Sequence, residues 1–348
     1  KYVLTFCREK RNSINLNKDK KNLLGYIRYI KDNLEAYEKE SEKKLNTSYS
    51  EKKDPLRQLK KDLLILVQEN STKAVCEHPE NMYLSKDYGN ENNLEDLFEN
   101  IENIYFVHRE YIKDISKEYS RKQKRNKKDV IELSKKGQNE INKWKDFFIK
   151  IGVNELPRVI FYDGDGENRK YPTEDEKRYK PAVRVKDWDL SDEFIELLDT
   201  CNLERNKHLL DILNKHWEEH FKNFIKMKYT YESYVGRSCR EYNKDFDSTF
   251  IRDLRKKIKI PVTSGELINP LEIYLPENDI NELLGDMVKY LAVELNQNLI
   301  KDIGINQTVN VEVVLRRLKQ IINYNIHDRD LFVKLYTCLM NNYSDNIV

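Results

Sequence analysis

The phrase Pro-Glu-Asn-Met-Tyr-Leu at residues 79–84 returns as Pro-Leu-Glu-Ile-Tyr-Leu at residues 270–275. Both copies keep the proline, the tyrosine and the final leucine at the same spacing. Each copy follows a basic, helix-like run that ends in an apolar stretch, at residues 59–67 and at residues 254–262. Because the same landmarks occur twice in the same order, the sequence indicates one structural unit used two times.

Two further pairs of segments extend this repeat. Upstream, Asn-Leu-Leu-Gly-Tyr-Ile at residues 22–27 resembles His-Leu-Leu-Asp-Ile-Leu at residues 208–213. Downstream, Tyr-Ile-Lys-Asp-Ile at residues 111–115 resembles Leu-Ile-Lys-Asp-Ile at residues 299–303. The copies lie about 190 residues apart at each landmark. The predicted fold is therefore α+β and helix-dominated, with two related tandem units that each pack helices on a small sheet.

These landmarks divide the chain into three parts. The first predicted unit spans residues 1–156, and it carries a basic insertion at about 116–140 that the second unit lacks. A strand-bearing connector follows at residues 157–186, where apolar stretches flank a long polar loop. The second predicted unit spans residues 187–348. Within the units, the tyrosines of the repeated phrase are expected to be partly buried with bonded hydroxyl groups.

The pattern along the chain predicts mostly helices with short strands between them. Strands are expected at residues 63–67, 82–84 and 104–107, after a helix that Pro55 opens. The longest predicted helix runs from residue 110 to residue 150 and ends at Gly152, a left-handed cap. Further helices are predicted at residues 20–48, 203–226, 310–323 and 328–341.

The composition predicts a folded chain without a membrane-spanning segment. Of 348 residues, 39% are hydrophobic and 35% are charged, while 22 Tyr and 12 Phe supply large apolar area. The 62 Lys and Arg nearly balance the 60 Asp and Glu, so net charge gives no signal for nucleic acid. No apolar run reaches the ~18 residues of a membrane span. Five scattered cysteines without a CxxC pair predict reduced thiols and a cytoplasmic protein.

Several phrases resemble one protein family. Trp-Lys-Asp-Phe-Phe-Ile-Lys-Ile-Gly-Val at residues 144–153 is similar to a phrase that follows the ATPase domain of sacsin-like and NO VEIN-like proteins, and residues 299–306 form a partner phrase. The stretch from Ile-Pro-Val at residue 260 to Tyr-Leu-Pro at residue 276 resembles a second family phrase. The resemblance covers roughly residues 54–340 by phrase order. The positions predicted to matter for structure are Pro79, Tyr83, Trp144, Gly152, Pro270, Tyr274 and Gly304.

The resemblance implies an ATPase domain of the GHKL type, the histidine-kinase-like superfamily, located upstream in a larger protein. Such a domain binds adenine with a D-x-G-x-G loop, and Asp-Gly-Asp-Gly at residues 163–166 has the wrong order. ATP and Mg²⁺ are therefore expected in the parent protein, with no cofactor and no catalytic residue in this chain. The chain opens on Lys1 inside an apolar pattern, as a piece of a longer protein would. The leading hypothesis is a non-catalytic scaffold or chaperone-like repeat module, whose partners are other domains of the same protein and a protein client.

A basic cluster carries the alternative hypothesis. Six of the eight residues from 121 to 128 are positively charged: Arg121, Lys122, Lys124, Arg125, Lys127 and Lys128. Such a cluster attracts a phosphate backbone, or it forms the solvated face of a helix. The first interpretation predicts the nucleic-acid-contacting region of a bacterial restriction or phage-defence protein. A weaker basic patch at residues 252–259 recurs at residues 57–61, so it is assigned to a structural amphipathic helix.

Three other patterns were weighed as sites. His216, Glu219 and His220 match the H-x-x-E-H pattern of a zinc hydrolase, but no third ligand is evident, and the pattern favours a solvated helix with Trp217 packed inward. Residues 163–168 resemble a calcium loop, but the glycine needed at its sixth position is Asn168, which favours a hairpin tip. Cys239 lies between two arginines without a general base in the pattern.

Overall fold

The computed structural model describes residues 16–45, 55–68, 76–125, 128–164, 184–235 and 238–344. The fold is α+β and helix-dominated, with small sheets of two to four strands, as predicted. It divides into two compact units, Lys1–Arg158 and Val159–Val348. None of the described helices combines the length and apolar character that a membrane crossing requires.

The first unit contains six helices and six short strands among its described residues. The helices are α1 (Leu16–Asp32), α2 (Leu34–Leu45), α3 (Pro55–Asp62), α4 (Leu94–Leu97), α5 (Lys113–Tyr119) and α6 (Lys135–Ile151). The strands are β1 (Ile65–Leu66), β2 (Cys76–Glu77), β3 (Met82–Tyr83), β4 (Tyr105–Phe106), β5 (Ser120–Arg125) and β6 (Lys128–Leu133). β1 pairs antiparallel with β2, β3 pairs parallel with β4, and β5 and β6 form a hairpin.

The core of the first unit joins α1 to α6. Leu23, Ile27 and Ile30 recur at helical spacing on α1, and all three are fully buried in one cluster with Trp144 and Phe148 of α6. Fully burying one such aliphatic side chain contributes about 1.5–3 kcal/mol to folding. Aromatic rings fill the space between the helix and the loops, and the contacting rings are Tyr88, Tyr111, Trp144, Phe147 and Phe148.

The second unit contains seven helices and eight strands among its described residues. The helices are α7 (Asp192–Thr200), α8 (Leu203–His216), α9 (Thr249–Lys257), α10 (Asn278–Leu284), α11 (Gln297–Ile303), α12 (Val311–Asn323) and α13 (Arg329–Ser344). The strands are β7 (Val159–Gly164), β8 (Arg184–Leu190), β9 (Lys226–Val235), β10 (Ser238–Asp247), β11 (Ile260–Pro261), β12 (Leu267–Ile268), β13 (Ile273–Tyr274) and β14 (Lys289–Tyr290).

The largest sheet belongs to this second unit. Its strand order is β10-β9-β8-β7, and every neighbouring pair is antiparallel. β7 and β8, which fall mostly within the predicted connector, therefore pair with the long β9–β10 hairpin. Two shorter pairs complete the unit: β11 with β12, antiparallel, and β13 with β14, parallel. Helices α12 and α13 pack over β13, where Val314, Ile321 and Leu335 are fully buried beside Tyr274.

Three predicted helices differ from the structure. The helix predicted at residues 203–226 ends at His216, and a 3-10 turn follows at Phe221–Phe224. The helix predicted at residues 20–48 is interrupted at Asn33, whose side-chain Nδ2 donates to the carbonyl of Tyr29 at 2.8 Å. Asparagine competes with the helix in this way because its amide can satisfy a nearby backbone group. The helix predicted at residues 110–150 is wrong in its middle third, since residues 120–125 and 128–133 form the paired strands β5 and β6 instead.

Candidate interaction sites

In the first unit, hydrogen bonds join the strand that contains Tyr83 to the segment that follows α6. Helix α6 ends at Gly152, whose φ of 110° is left-handed and suits glycine. Two residues later, the Asn154 backbone N–H donates to the Met82 carbonyl at 2.9 Å, and the Leu84 N–H donates to the Asn154 carbonyl at 2.9 Å. The Asn154 side chain then donates to the carbonyls of Glu80 and Met82 at 3.0 and 2.9 Å.

The same contacts surround Tyr274 in the second unit. Helix α11 ends at Gly304, which is also left-handed, with a φ of 88°. The Asn306 N–H donates to the Ile273 carbonyl at 2.9 Å, and its side-chain Nδ2 donates to the carbonyls of Leu271 and Ile273, both at 2.9 Å. We call Asn154 and Asn306 clamps. Each asparagine side chain donates one hydrogen bond to a 3-10 turn and one to the strand that directly follows that turn.

The neighbouring strands repeat this arrangement as well. β3 pairs parallel with β4, and β13 pairs parallel with β14. The Val107 N–H donates to the Tyr83 carbonyl at 3.0 Å, and the Leu291 N–H donates to the Tyr274 carbonyl at 3.0 Å. The hydrogen-bond pattern around Tyr83 thus recurs around Tyr274.

The downstream landmark at residues 111–115 does not take the place predicted for it. Tyr111 closes a short 3-10 turn, whereas the segment that matches α11 by its contacts is the end of α6. The match of α6 to α11 agrees with the partner phrases at residues 144–153 and 299–306.

Five of the seven residues predicted as structural are buried, and the two helix-ending glycines, Gly152 and Gly304, are half-buried. Pro79 and Pro270 are buried at the first position of matching 3-10 turns, where proline loses no backbone hydrogen bond. Trp144 is buried against Tyr111 and Phe148. These residues are positioned to hold the chain together.

The two tyrosines differ in what covers them. The guanidinium of Arg158 lies 6.0 Å from the centre of the Tyr83 ring, and the backbone N–H of Arg158 donates to the Tyr83 hydroxyl at 3.4 Å. Nη1 of Arg158 also donates to the Glu80 carbonyl at 2.7 Å. The ring of Tyr274 lies instead beneath α12 and α13, and burial raises the pKa of its hydroxyl. The expected burial holds for both rings, and the bonded hydroxyl is seen at Tyr83.

The basic cluster lies on a β-hairpin, so its assignment to a helix face is wrong. In the ladder, Arg121 is opposite Glu132, Lys124 is opposite Asp129, and Arg125 is opposite Lys128. Lys127 lies outside the described residues. The hairpin is inserted between α5 and α6, and none of the described residues between β14 and α11 forms a hairpin in its place.

The weaker basic patch is engaged within the second unit. Nε of Arg255 donates to the Asp302 carbonyl at 2.7 Å, and its Nη1 donates to Asp247 at 2.6 Å. Nζ of Lys257 donates to Asp199 at 2.8 Å. These contacts agree with the structural assignment, in which the helix uses its charges to bind its own neighbours.

The candidate zinc residues do not share a helix, because His216 is the last residue of α8, and Glu219 and His220 lie beyond its end. Trp217 is fully buried, and its indole N–H donates to Asp302 at 2.9 Å. His220 packs edge-on against Phe221 and Phe224, and burial, followed by the charge of His216, lowers its pKa. Across the described parts of the chain, no group of three or more His, Cys, Asp or Glu is arranged to hold a metal ion.

Of the calcium-like loop, only Asp163 and Gly164 lie within the described residues. The Asp163 carboxylate accepts two hydrogen bonds from Arg184, at 2.6 Å each, and this contact lowers its pKa. Residues 165–168 lie outside the described part of the chain. Cys239 is opposite Tyr234 in the β9–β10 ladder.

One surface was missed by sequence reasoning. Val333, Tyr336 and Met340 on α13 are 58%, 58% and 71% exposed, and we call these three residues the α13 face. A groove of about 660 Å³ runs beside it, lined by residues that include Phe332, and a groove of about 440 Å³ lies on the other side. The signal was present in the sequence as apolar residues at i, i+3 and i+7, on a helix whose opposite side is already buried.

Comparison with known proteins supplies no family: no family model, no curated protein and no solved structure matches the chain.

Proposed function

We propose that this chain is a non-catalytic scaffold, a structural and interaction repeat module of a large sacsin-like or NO VEIN-like protein with a GHKL-type ATPase. The observation that carries the proposal is the recurrence of the clamp, Asn154 in one unit and Asn306 in the other. Repeated units are typical of proteins that present extended binding surfaces.

The chemistry of the clamps supports a mechanical role. Each clamp ties together segments that are far apart in the chain, since Asn154 bonds Glu80 and Asn306 bonds Leu271. The amide of each asparagine is used in backbone hydrogen bonds, as expected of a side chain that maintains shape. A firm unit of this kind suits the transmission of movement from an ATPase to a bound partner.

The proposed setting is the cytoplasm, with other domains of the parent protein and a protein client as partners. Cys201 is a free thiol, which fits a reducing compartment. ATP and Mg²⁺ are proposed to bind upstream, in the parent protein. The chain itself would contribute shape and contact surface.

The test compares the parent protein with this chain alone. We expect ATP hydrolysis by the parent and none by the isolated chain. In the parent, the double variant Asn154→Ala, Asn306→Ala should keep its ATP hydrolysis and lose its ability to suppress aggregation of a heat-unfolded client protein. The matched control is Asn323→Ala, because Asn323 is an exposed asparagine at the end of α12. ATP hydrolysis by the isolated chain, or a parent without ATPase activity, would contradict the proposal.

A second candidate function is contact with nucleic acid, and the β5–β6 hairpin favours it. A two-stranded ribbon fits the major groove of DNA, and this one carries five of the six clustered charges on its strands. The chain is titrated with duplex DNA at low and at moderate salt. We expect binding that weakens as salt rises, and its loss when Arg121, Lys122, Lys124, Arg125, Lys127 and Lys128 are changed to Gln. Binding that is unchanged in this variant would remove the candidate.

A further inference from the structure

Large exposed apolar side chains are concentrated in the last helix pair. Thirteen such residues are exposed among those described, and seven of them lie between residues 315 and 340: Leu315, Ile322, Tyr324, Ile326, Val333, Tyr336 and Met340. Scattered single residues of this kind need no explanation, but a cluster marks an interaction surface. Three of the seven form the α13 face.

The α13 face can be compared with the equivalent positions on two other helices of the chain, α1 and α8. Helices α1, α8 and α13 each carry a leucine followed four residues later by a buried Ile or Leu, which sets a common register: Leu23 and Ile27, Leu209 and Leu213, Leu331 and Leu335. In this register, the positions that match the α13 face are Gly25, Arg28 and Asp32 after Leu23, and Asp211, Asn214 and Glu218 after Leu209.

Gly25, Arg28 and Asp32 on α1 and Asp211 on α8 are exposed polar residues or glycine, as water-facing positions usually are. Asn214 is half-buried and accepts a hydrogen bond from the Asn296 N–H, and Glu218 lies beyond the end of α8. On α13 the same positions carry Val333, Tyr336 and Met340. The apolar character is therefore special to α13, and it is not a by-product of the helix pattern that the three share.

We infer that the α13 face binds the α13 face of a second copy of this chain. The face is self-complementary in shape, because Val333 and Thr337 line both grooves and so form a ridge between them. The ridge of one copy can enter a groove of the other, as packed helices do. A two-fold axis across α13 makes the two helices antiparallel, which also opposes their dipoles favourably.

The charges beside the face permit this approach. Lys334 is paired with Glu282 of α10, and Asp328 accepts a hydrogen bond from the Leu331 N–H at 3.0 Å. The neighbouring Arg329 and Asp330 carry opposite signs. Lys334 and Glu282 therefore add no unpaired charge to the contact, and an unpaired charge would oppose association.

The exposed area of the α13 face sets the strength of the contact. At the observed exposures, the three side chains present roughly 350 Å² per copy, taking about 200 Å² for a fully exposed large side chain. Both copies together bury roughly 700 Å² from these side chains, which is below the ~1,200 Å² of stable specific interfaces and predicts a weak, transient dimer. We therefore expect association in the micromolar range.

Sedimentation equilibrium of the full chain over a wide concentration range tests this inference. The average mass of the unaltered chain should rise from one chain toward two. Tyr336→Asp should weaken association by at least about a hundredfold, because it places a charge at the centre of the interface. The matched control is Tyr29→Asp, since Tyr29 is an equally exposed tyrosine on α1 (60% exposed), and it should associate as the unaltered chain does.

A thermal melt of each variant establishes that it is folded, and Met340→Asp replaces Tyr336→Asp if that variant is not. A mass that stays at one chain at every concentration, or unimpaired association of both α13 variants, would overturn the inference. It does not rest on the proposed scaffold role, because self-association is measured without ATP, client or nucleic acid.

Discussion

At the scale of single residues, the clamps are the most specific feature of the molecule. A clamp asparagine donates two hydrogen bonds that no other uncharged side chain of its size provides. We expect Asn154→Ala and Asn306→Ala each to lower the free energy of unfolding by about 1–2 kcal/mol, because backbone carbonyls lose a donor. Chemical denaturation with urea measures the loss, and Asn323→Ala should change it by less than about 0.5 kcal/mol.

Aspartate at the same positions separates hydrogen bonding from packing. Asn154→Asp keeps the shape of the side chain but directs a carboxylate at the carbonyls of Glu80 and Met82. We expect this variant to be less stable than Asn154→Ala at neutral pH, with a deficit that shrinks on acidification as the carboxyl group is protonated. If the two variants are equally stable at all pH values, the two hydrogen bonds that Asn154 donates do not contribute to the stability of the fold.

Cys201 gives a prediction about reactivity. Burial raises the pKa of its thiol to about 11, although the charge of Arg205 acts in the opposite direction. At pH 7 only about one thiol in ten thousand is then the reactive thiolate. Alkylation of Cys201 in the folded chain, followed by peptide mass spectrometry, should therefore be slow at neutral pH and accelerate up to about pH 11. Rapid labelling at pH 7, matching that in urea, would contradict this.

At the scale of elements, two glycines in helices are expected to respond in opposite ways to the same change. A Cβ at Gly25 in α1 would meet nothing within 4 Å, whereas a Cβ at Gly137 in α6 would lie 2.7 Å from Cβ of Tyr119. Gly25→Ala should raise the free energy of unfolding by about 0.5–1 kcal/mol because alanine favours helix.

Gly137→Ala should lower it by about 1–3 kcal/mol, since α5 must move to relieve the contact. Urea denaturation of both variants measures the two effects. A stabilising Gly137→Ala would mean that α5 and the base of the hairpin are not packed as described.

Elements with strong end signals were predicted well from the sequence. Gly152 and Gly304 end their helices as expected, and Pro55 begins α3. The β5–β6 hairpin was not predicted, because lysine and arginine are good helix formers and their strand pairing depends on the partner strand. The β9–β10 hairpin was not predicted either, for a similar reason. Its strands are stabilised across the ladder, which a local pattern does not reveal.

At the scale of the whole molecule, the repeated phrase was visible in the sequence, but the predicted alignment of its flanking segments does not match the contacts in the structure. The repeated phrase is separated by 191 residues from Tyr83 to Tyr274, whereas the clamps are separated by 152 residues from Asn154 to Asn306. The first unit therefore has 39 more residues between these points (191 − 152), and the β5–β6 hairpin and the longer α6 supply part of this excess. Residues 111–115 were matched to residues 299–303 because this kept the distance between the two copies constant. That match paired α11 with the wrong segment, so neither clamp was predicted. Their role depends on contacts with distant segments, which spacing alone does not show.

The two compact units lead to a final prediction about cooperativity. The first unit has a core around Trp144, the second has a core around Tyr274, and each clamp bonds only within its own unit. Calorimetry of the full chain should therefore show two unfolding transitions. Asn154→Ala should lower the midpoint of one by about 2–4 °C per kcal/mol lost, and Asn306→Ala should lower the other by a similar amount. If both variants shift a single transition equally, the units unfold as one, and each clamp stabilises the entire chain.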